Sequence, residues 1–205
     1  MPQATTPTTG EALAMSRYTR QMLIKAFAEL AQERPLNRIN VSEIVSRCAV
    51  HRNTFYYYFD DIHHLVNQFL EEEKTRLSAL SESAGSWEEA ISIFVNYASE
   101  NRKILKNISD SFSLSMIQSF FGDLLMNCAK KRLEAEAGSL AINQEDLDIL
   151  SLLIACSVEG LIVGWIGDTL HVEPEAVISR ACLLLEGAGS SILQRANELR
   201  DEPVT

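Results

Sequence analysis

The chain has 205 residues, of which 46% are hydrophobic and 22% charged, ordinary globular composition and enough length for a sizeable core. Its formal charge of −10 excludes a protein that coats nucleic acid by bulk attraction. The four cysteines (Cys48, Cys128, Cys156, Cys182) are far apart and in apolar stretches, which points to reduced thiols packed as small hydrophobes and not to a disulfide framework.

The charge is unevenly spread. Residues 16–58 hold seven cations (Arg17, Arg20, Lys25, Arg34, Arg38, Arg47, Arg52) against three anions (Glu29, Glu33, Glu43), a net of +4 that leaves −14 for the remainder. The opening "MPQATTPTTGE" has no cationic start and no apolar run, so it does not read as a signal peptide. Its Pro, Thr and Gly content predicts a disordered arm over 1–15, and the protein is expected to be cytoplasmic.

No strand or hairpin signal stands out, and helical periodicity recurs throughout. Leu23, Ile24, Phe27, Leu30 and Ala31 define a helix over 16–34 that Pro35 ends. Asn40, with Glu43 three residues on, has the form of a capping box opening a short helix over 41–48. A second short helix follows over about 51–58, and Asp60–Asp61 can cap a longer one over about 62–80. Further helices are expected over 87–105, over 110–138 (one or two, with Gly122 as a joint), from "NQEDLDIL" to about 169, and over 174–198, with Pro174 in the first turn. The apolar run 147–167 is long enough for a bilayer, yet it contains Asp148 and Glu159 and stands without flanking cations. A helix buried against protein explains it better, and no membrane partner is expected. The class is all-α, with about nine helices.

Two eight-residue helices joined by three or four residues cannot bury much alone. With 16–34 behind them they have the layout of a three-helix helix-turn-helix unit, whose second short helix enters the DNA major groove. At 100° per residue, Phe55 and Phe59 lie within about 40° of each other, whereas Asn53 and Tyr57 lie nearly opposite, with Thr54 and Tyr56 on the flanks. The phenylalanines therefore face the core and the tyrosines face out, where a phenol can rest on the domain and bond a phosphate oxygen. Arg52 and Asn53 open the helix and suit guanine and adenine edges.

"INVSEIVSRCAVHRNTFYYYFDDIHHLV" resembles the DNA-binding signature of the TetR family of bacterial regulators, with Ile44, Val50, Thr54, Phe55, Tyr56, Tyr58 and Phe59 in register. The resemblance covers about 45 residues with the first helix included. It implies a helix-turn-helix domain over 16–62 and a helical dimerisation and effector domain over 63–205. It implies that Ser42 bonds a phosphate, that Arg52, Asn53, Thr54 and Tyr57 face base edges or neighbouring phosphates, and that Tyr56 and Tyr58 grip the backbone. The implied partners are an operator in double-stranded DNA, a second copy of the chain and a small-molecule effector, with repression preferred to activation. The motif departs from the family pattern at His51, a weaker cap, at Asn53 in place of glycine, and at Ile62 in place of a phosphate-gripping lysine. The "RNTFYYYFDDI" variant resembles a branch associated with activation. A helical partner-binding protein that has lost strong DNA affinity is the alternative.

Gly160 and Gly164, with Leu161 and Trp165, and Gly187 with Gly189 on the last helix, are the candidate dimer interface, where small residues let a helix approach closely. A stripe of Trp87, Phe94, Tyr97, Phe112, Met116, Phe120 and Phe121 could line an effector pocket or form plain core. His63 and His64 are adjacent and cannot share a metal from one helix face. No cofactor, metal site or catalytic constellation is expected, and the protein is read as a non-enzyme.

Overall fold

The computed structural model describes the backbone of residues 9–185 and 187–200, and the side chains of residues 14–200 except that of Glu186. Among these residues there are ten α-helices and one short 3-10 turn, with no strand. The chain divides into two units, 1–71 and 72–205.

In the first unit, α1 (Thr9–Glu33) begins seven residues earlier than the spacing predicts, so residues 9–15 are helix and not arm; residues 1–8 lie outside the described residues. Leu23, Phe27, Leu30 and Ala31 on α1 are buried, as their spacing requires. α2 (Val41–Arg47) packs against α1 and α3 (Arg52–Tyr58) against α2, with Ile44, Val45 and Phe55 buried. α4 (Ile62–Glu82) adds Leu65, Val66, Phe69 and Leu70, and the Phe27 and Phe69 rings meet edge to face at 6.0 Å.

The second unit holds the end of α4 and α5 (Trp87–Glu100), α6 (Arg102–Ser111), α7 (Leu114–Ala137), α8 (Gln144–Ile166), α9 (Pro174–Leu184) and α10 (Ala188–Leu199). Two spans expected to be single helices are each broken. The segment 87–105 breaks at Asn101, whose side-chain amide donates to the Tyr97 carbonyl at 3.0 Å. The segment 174–198 breaks at Gly187, where φ is 78°, a left-handed conformation that glycine adopts without a Cβ clash.

Gly122 is not a joint: α7 runs through it unbroken. A Cβ there would lie 3.2 Å from the Glu159 carboxylate on α8, so the glycine makes room for that side chain. Burial without a cation raises the Glu159 carboxyl above its ordinary range. α8 is long and apolar enough to cross a bilayer, but seven of its residues are buried in the unit, mainly in the broad α7–α8 pairing. Its C-terminus is closed by Arg102, which donates to the Trp165 carbonyl at 2.7 Å and to Asp168 at 2.5 Å and lies 4.4 Å from the Trp165 ring. Lys106 adds an ion pair to Asp168 at 2.9 Å, and cations at a helix C-terminus complement its dipole.

Candidate nucleic-acid interface

The helix-turn-helix is held by local chemistry at both of its joints. Asn40 and Glu43 form a reciprocal capping box, each backbone N–H donating to the other's side chain at 3.1 Å. Ser42, on the first turn of α2, is exposed. α2 ends in a Schellman motif, with Val50 N–H donating to the Val45 carbonyl at 3.0 Å and Ala49 N–H to that of Ser46 at 3.2 Å. That motif needs a left-handed residue between the helices, and Ala49 supplies it at φ 53°. A non-glycine residue there is strained, so Ala49→Gly is expected to raise stability by about 1 kcal/mol. A urea-unfolding midpoint that falls on this substitution would contradict the assignment.

α3 begins at His51, whose side chain makes no capping bond. Phe55 and Phe59 are 0% and 1% exposed with ring centroids 5.5 Å apart, whereas Tyr57 is 78% exposed. The inward phenylalanines and outward tyrosine follow the helical wheel. Arg52 and Asn53 are exposed, and Thr54 is half-buried. Tyr56 is exposed, and its hydroxyl accepts from Arg52 Nη2 at 3.2 Å while the guanidinium sits 5.7 Å from its ring. Arg52 is therefore steadied on the outer face by a neighbour one turn away.

Tyr58 is placed differently from its neighbours. It is half-buried, its hydroxyl donates to Ser16 Oγ at 3.1 Å, and it meets Tyr57 edge to face at 4.8 Å. In this structure it braces α3 against the first turns of α1, a long-range contact with no signal in local spacing.

The basic stretch is partly self-neutralised. Arg47 pairs with Glu33 at 2.8 Å and Glu29 at 3.6 Å, and Arg34 with Glu43 at 3.0 Å. Arg17, Lys25, Arg38 and Arg52 have no ion pair among the described residues, and all four are exposed. They are the exposed cations of this stretch that carry no counter-charge there. At the start of α4, Ile62 is half-buried and offers no charge; Asp61 caps the helix by accepting from His64 N–H at 2.7 Å.

Residues 23–69 match the family model for bacterial regulatory proteins of the tetR family, and residues 85–187, half of the chain, match that for a transcriptional regulator C-terminal region. The chain belongs to the TetR family. It is a transcriptional regulator with a DNA-binding helix-turn-helix. A curated relative, the HTH-type dhaKLM operon transcriptional activator DhaS of Lactococcus lactis, is 27% identical over 90 residues, 44% of this chain and 48% of that protein. The match thus spans about half of that relative's length. Among solved structures, the dihydroxyacetone kinase operon activator DhaS superposes with a TM-score of 0.70 at 19% identity, covering 84% of this chain and 97% of that one. The fatty acid degradation regulator FadR from Bacillus halodurans gives 0.58 at 14% identity over 85% and 94% of the chains. AlkX, a TetR family repressor from Dietzia, gives 0.54 at 15% over 85% and 96%. At these identities the likeness speaks for the fold.

Of the residues expected at a dimer interface, Gly160 is exposed and a Cβ there would meet nothing within 4 Å. Gly164 is explained within its own chain, because a Cβ would lie 2.7 Å from Leu170. Trp165 is half-buried beneath Arg102, Leu161 is half-buried, Gly187 forms the left-handed turn, and Gly189 is half-buried near Glu136. The aromatic stripe also divides. Phe94, Tyr97, Phe120 and Phe121 are buried core, Phe112 and Met116 are half-buried, and Trp87 packs instead with the Leu133, Leu147 and Leu193 cluster.

Proposed function

We propose that this TetR-family regulator is a cytoplasmic homodimer that binds a pseudo-palindromic operator and acts by binding, not catalysis. Two α3 helices about 34 Å apart would each enter a major groove. The observation that carries the reading is the outer face of α3. Arg52, Asn53 and Tyr57 are exposed there on a helix fixed from behind by Phe55 and Phe59, and Arg52 has no carboxylate partner among the described residues. In that arrangement Arg52 and Asn53 read base edges, Thr54 and Tyr57 face bases or neighbouring phosphates, Ser42 and Tyr56 contact the backbone, and Tyr58 positions the helix.

Dimerisation is supported by an apolar face that the single chain leaves in water. Leu152, Leu153 and Gly160 on α8, Leu183 and Leu184 on α9, Leu185 after it and Ile192 on α10 are exposed. The DNA-binding part is assigned to residues 16–62 and the dimerisation part to 63–205. DhaS is an activator and AlkX a repressor. An effector shifts DNA binding only through its differential affinity for the two states.

Arg52→Ala is expected to cost about 1–3 kcal/mol on the operator and relax preference at one base pair, while affinity for random duplex changes little. Fluorescence anisotropy with both duplexes checks this. Equal losses on the two would remove Arg52 from base reading.

A further inference from the structure

Arg52 and Asn53 stand side by side on the outer face of α3, but only Arg52 is held. Its Nη2 donates to the Tyr56 hydroxyl at 3.2 Å, and its guanidinium lies 5.7 Å from the centre of the Tyr56 ring. The Asn53 side chain has no hydrogen bond among the described residues.

Tyr56 is in turn fixed from the core side. Its ring meets that of Phe55 edge to face at 5.5 Å, and Phe55 is fully buried. Core packing thus sets the phenol, and the phenol sets the guanidinium. Arg52 and Tyr56 are one turn apart, the spacing at which side chains on a helix surface meet.

This bond leaves both partners able to bind DNA. A phenol oxygen accepts through its lone pairs and keeps its own proton to donate. Arg52 therefore occupies the acceptor side of Tyr56 and leaves the O–H for a phosphate oxygen. On Arg52 the bond uses one of five N–H donors, so a two-pronged fork remains for O6 and N7 of guanine. An unheld arginine in water samples many rotamers, and freezing them on binding costs affinity. A guanidinium steadied before DNA arrives loses less, and the gain falls on the base pair that its fork fits.

We infer that Tyr56 is a positioning residue for base reading: its hydroxyl orients Arg52 toward a guanine edge, in addition to meeting the backbone. The inference rests on the reading of Arg52 as a base contact, and it changes what the loss of one hydroxyl does. A tyrosine that only grips phosphate weakens every duplex equally, because phosphates carry no sequence information. A tyrosine that orients Arg52 also changes which base is preferred.

The test is selection from one random duplex pool by four full-length proteins: wild type, Arg52→Ala, Tyr56→Phe and the double variant. The readout is base preference at each position, a ratio in which a phosphate contact cancels. Tyr56→Phe keeps the ring against Phe55 and removes only the hydroxyl of a residue 48% exposed, so thermal unfolding is expected to stay unchanged. Arg52→Ala is expected to relax one base pair of each half-site. Tyr56→Phe is expected to lower the guanine preference at that same pair by about two- to tenfold, the range of one net hydrogen bond, and at no other pair. In the Arg52→Ala background the same change is expected to alter no preference, because the hydroxyl acts through the guanidinium. A Tyr56→Phe profile identical to wild type would overturn the proposal and leave Tyr56 as a phosphate contact alone. An effect that persists without Arg52 would overturn it too. If Arg52→Ala relaxes no pair, the reading of Arg52 fails first and the proposal falls with it.

Discussion

Replacing Phe55 by alanine is expected to cost about 3–5 kcal/mol of stability, the typical result of deleting a fully buried ring from a packed core. Phe55 is 0% exposed; its ring sits 5.5 Å from that of Phe59 and, edge to face, 5.5 Å from that of Tyr56. The unit it belongs to is small, spanning 1–71. Domains carry roughly 0.05–0.15 kcal/mol per residue, so a unit of this size holds on the order of 4–10 kcal/mol in all. The substitution therefore removes much of what keeps α3 in place, and binding to every duplex should fall together. Tyr57→Ala, four-fifths exposed on the same helix, should leave stability within about 0.5 kcal/mol while weakening DNA binding. Urea unfolding followed by circular dichroism separates the two. A Phe55 variant as stable as the Tyr57 variant would mean that the inward and outward faces of α3 are misassigned.

Leu184→Asp is expected to abolish dimerisation at micromolar concentration and to lower operator affinity by about 10²–10⁴-fold. The second figure is the advantage that linking two binding heads ordinarily confers. Leu184 is 70% exposed, flanked by Leu183 and Leu185 at 60% and 63%, and Leu153 on α8 is 60% exposed. A leucine gains about 1.5–3 kcal/mol on full burial, so leaving this many in water is a large standing cost that a second copy would relieve. A carboxylate placed among them would have to be desolvated among leucines for the face to be covered. The affected side chain touches solvent in the single chain, so the fold of each subunit should survive. Sedimentation velocity reads the oligomeric state directly. A wild-type chain that is monomeric at tens of micromolar would refute the dimer, and a Leu184→Asp variant that remains dimeric would move the interface elsewhere.

How far the sequence could be read depended on the range of the interactions. The capping box at Asn40 and Glu43 and the opposed faces of α3 are set by residues within one or two turns, and both are present as the spacing requires. The helix breaks at Asn101 and Gly187 escaped periodicity because the apolar pattern carries on across them. The role of Tyr58 was hidden for another reason: its partner, Ser16, is 42 residues away and holds the phenol from the side. The close approach of Leu170 to Gly164 had no local signal either, since only the closing turn after α8 brings that leucine near. The positive φ of Ala49 also had no sequence signal, since alanine is not a residue that marks a left-handed turn.

The most direct test of the central claim is selection of bound duplexes from a random pool with the purified protein, followed by affinity for the enriched sequence at two salt concentrations. The account predicts an enriched inverted repeat with half-sites about one helical turn apart. It also predicts an affinity that falls steeply with salt, as contacts to several phosphates require. No enrichment, with binding that is equally weak on every sequence, would contradict it.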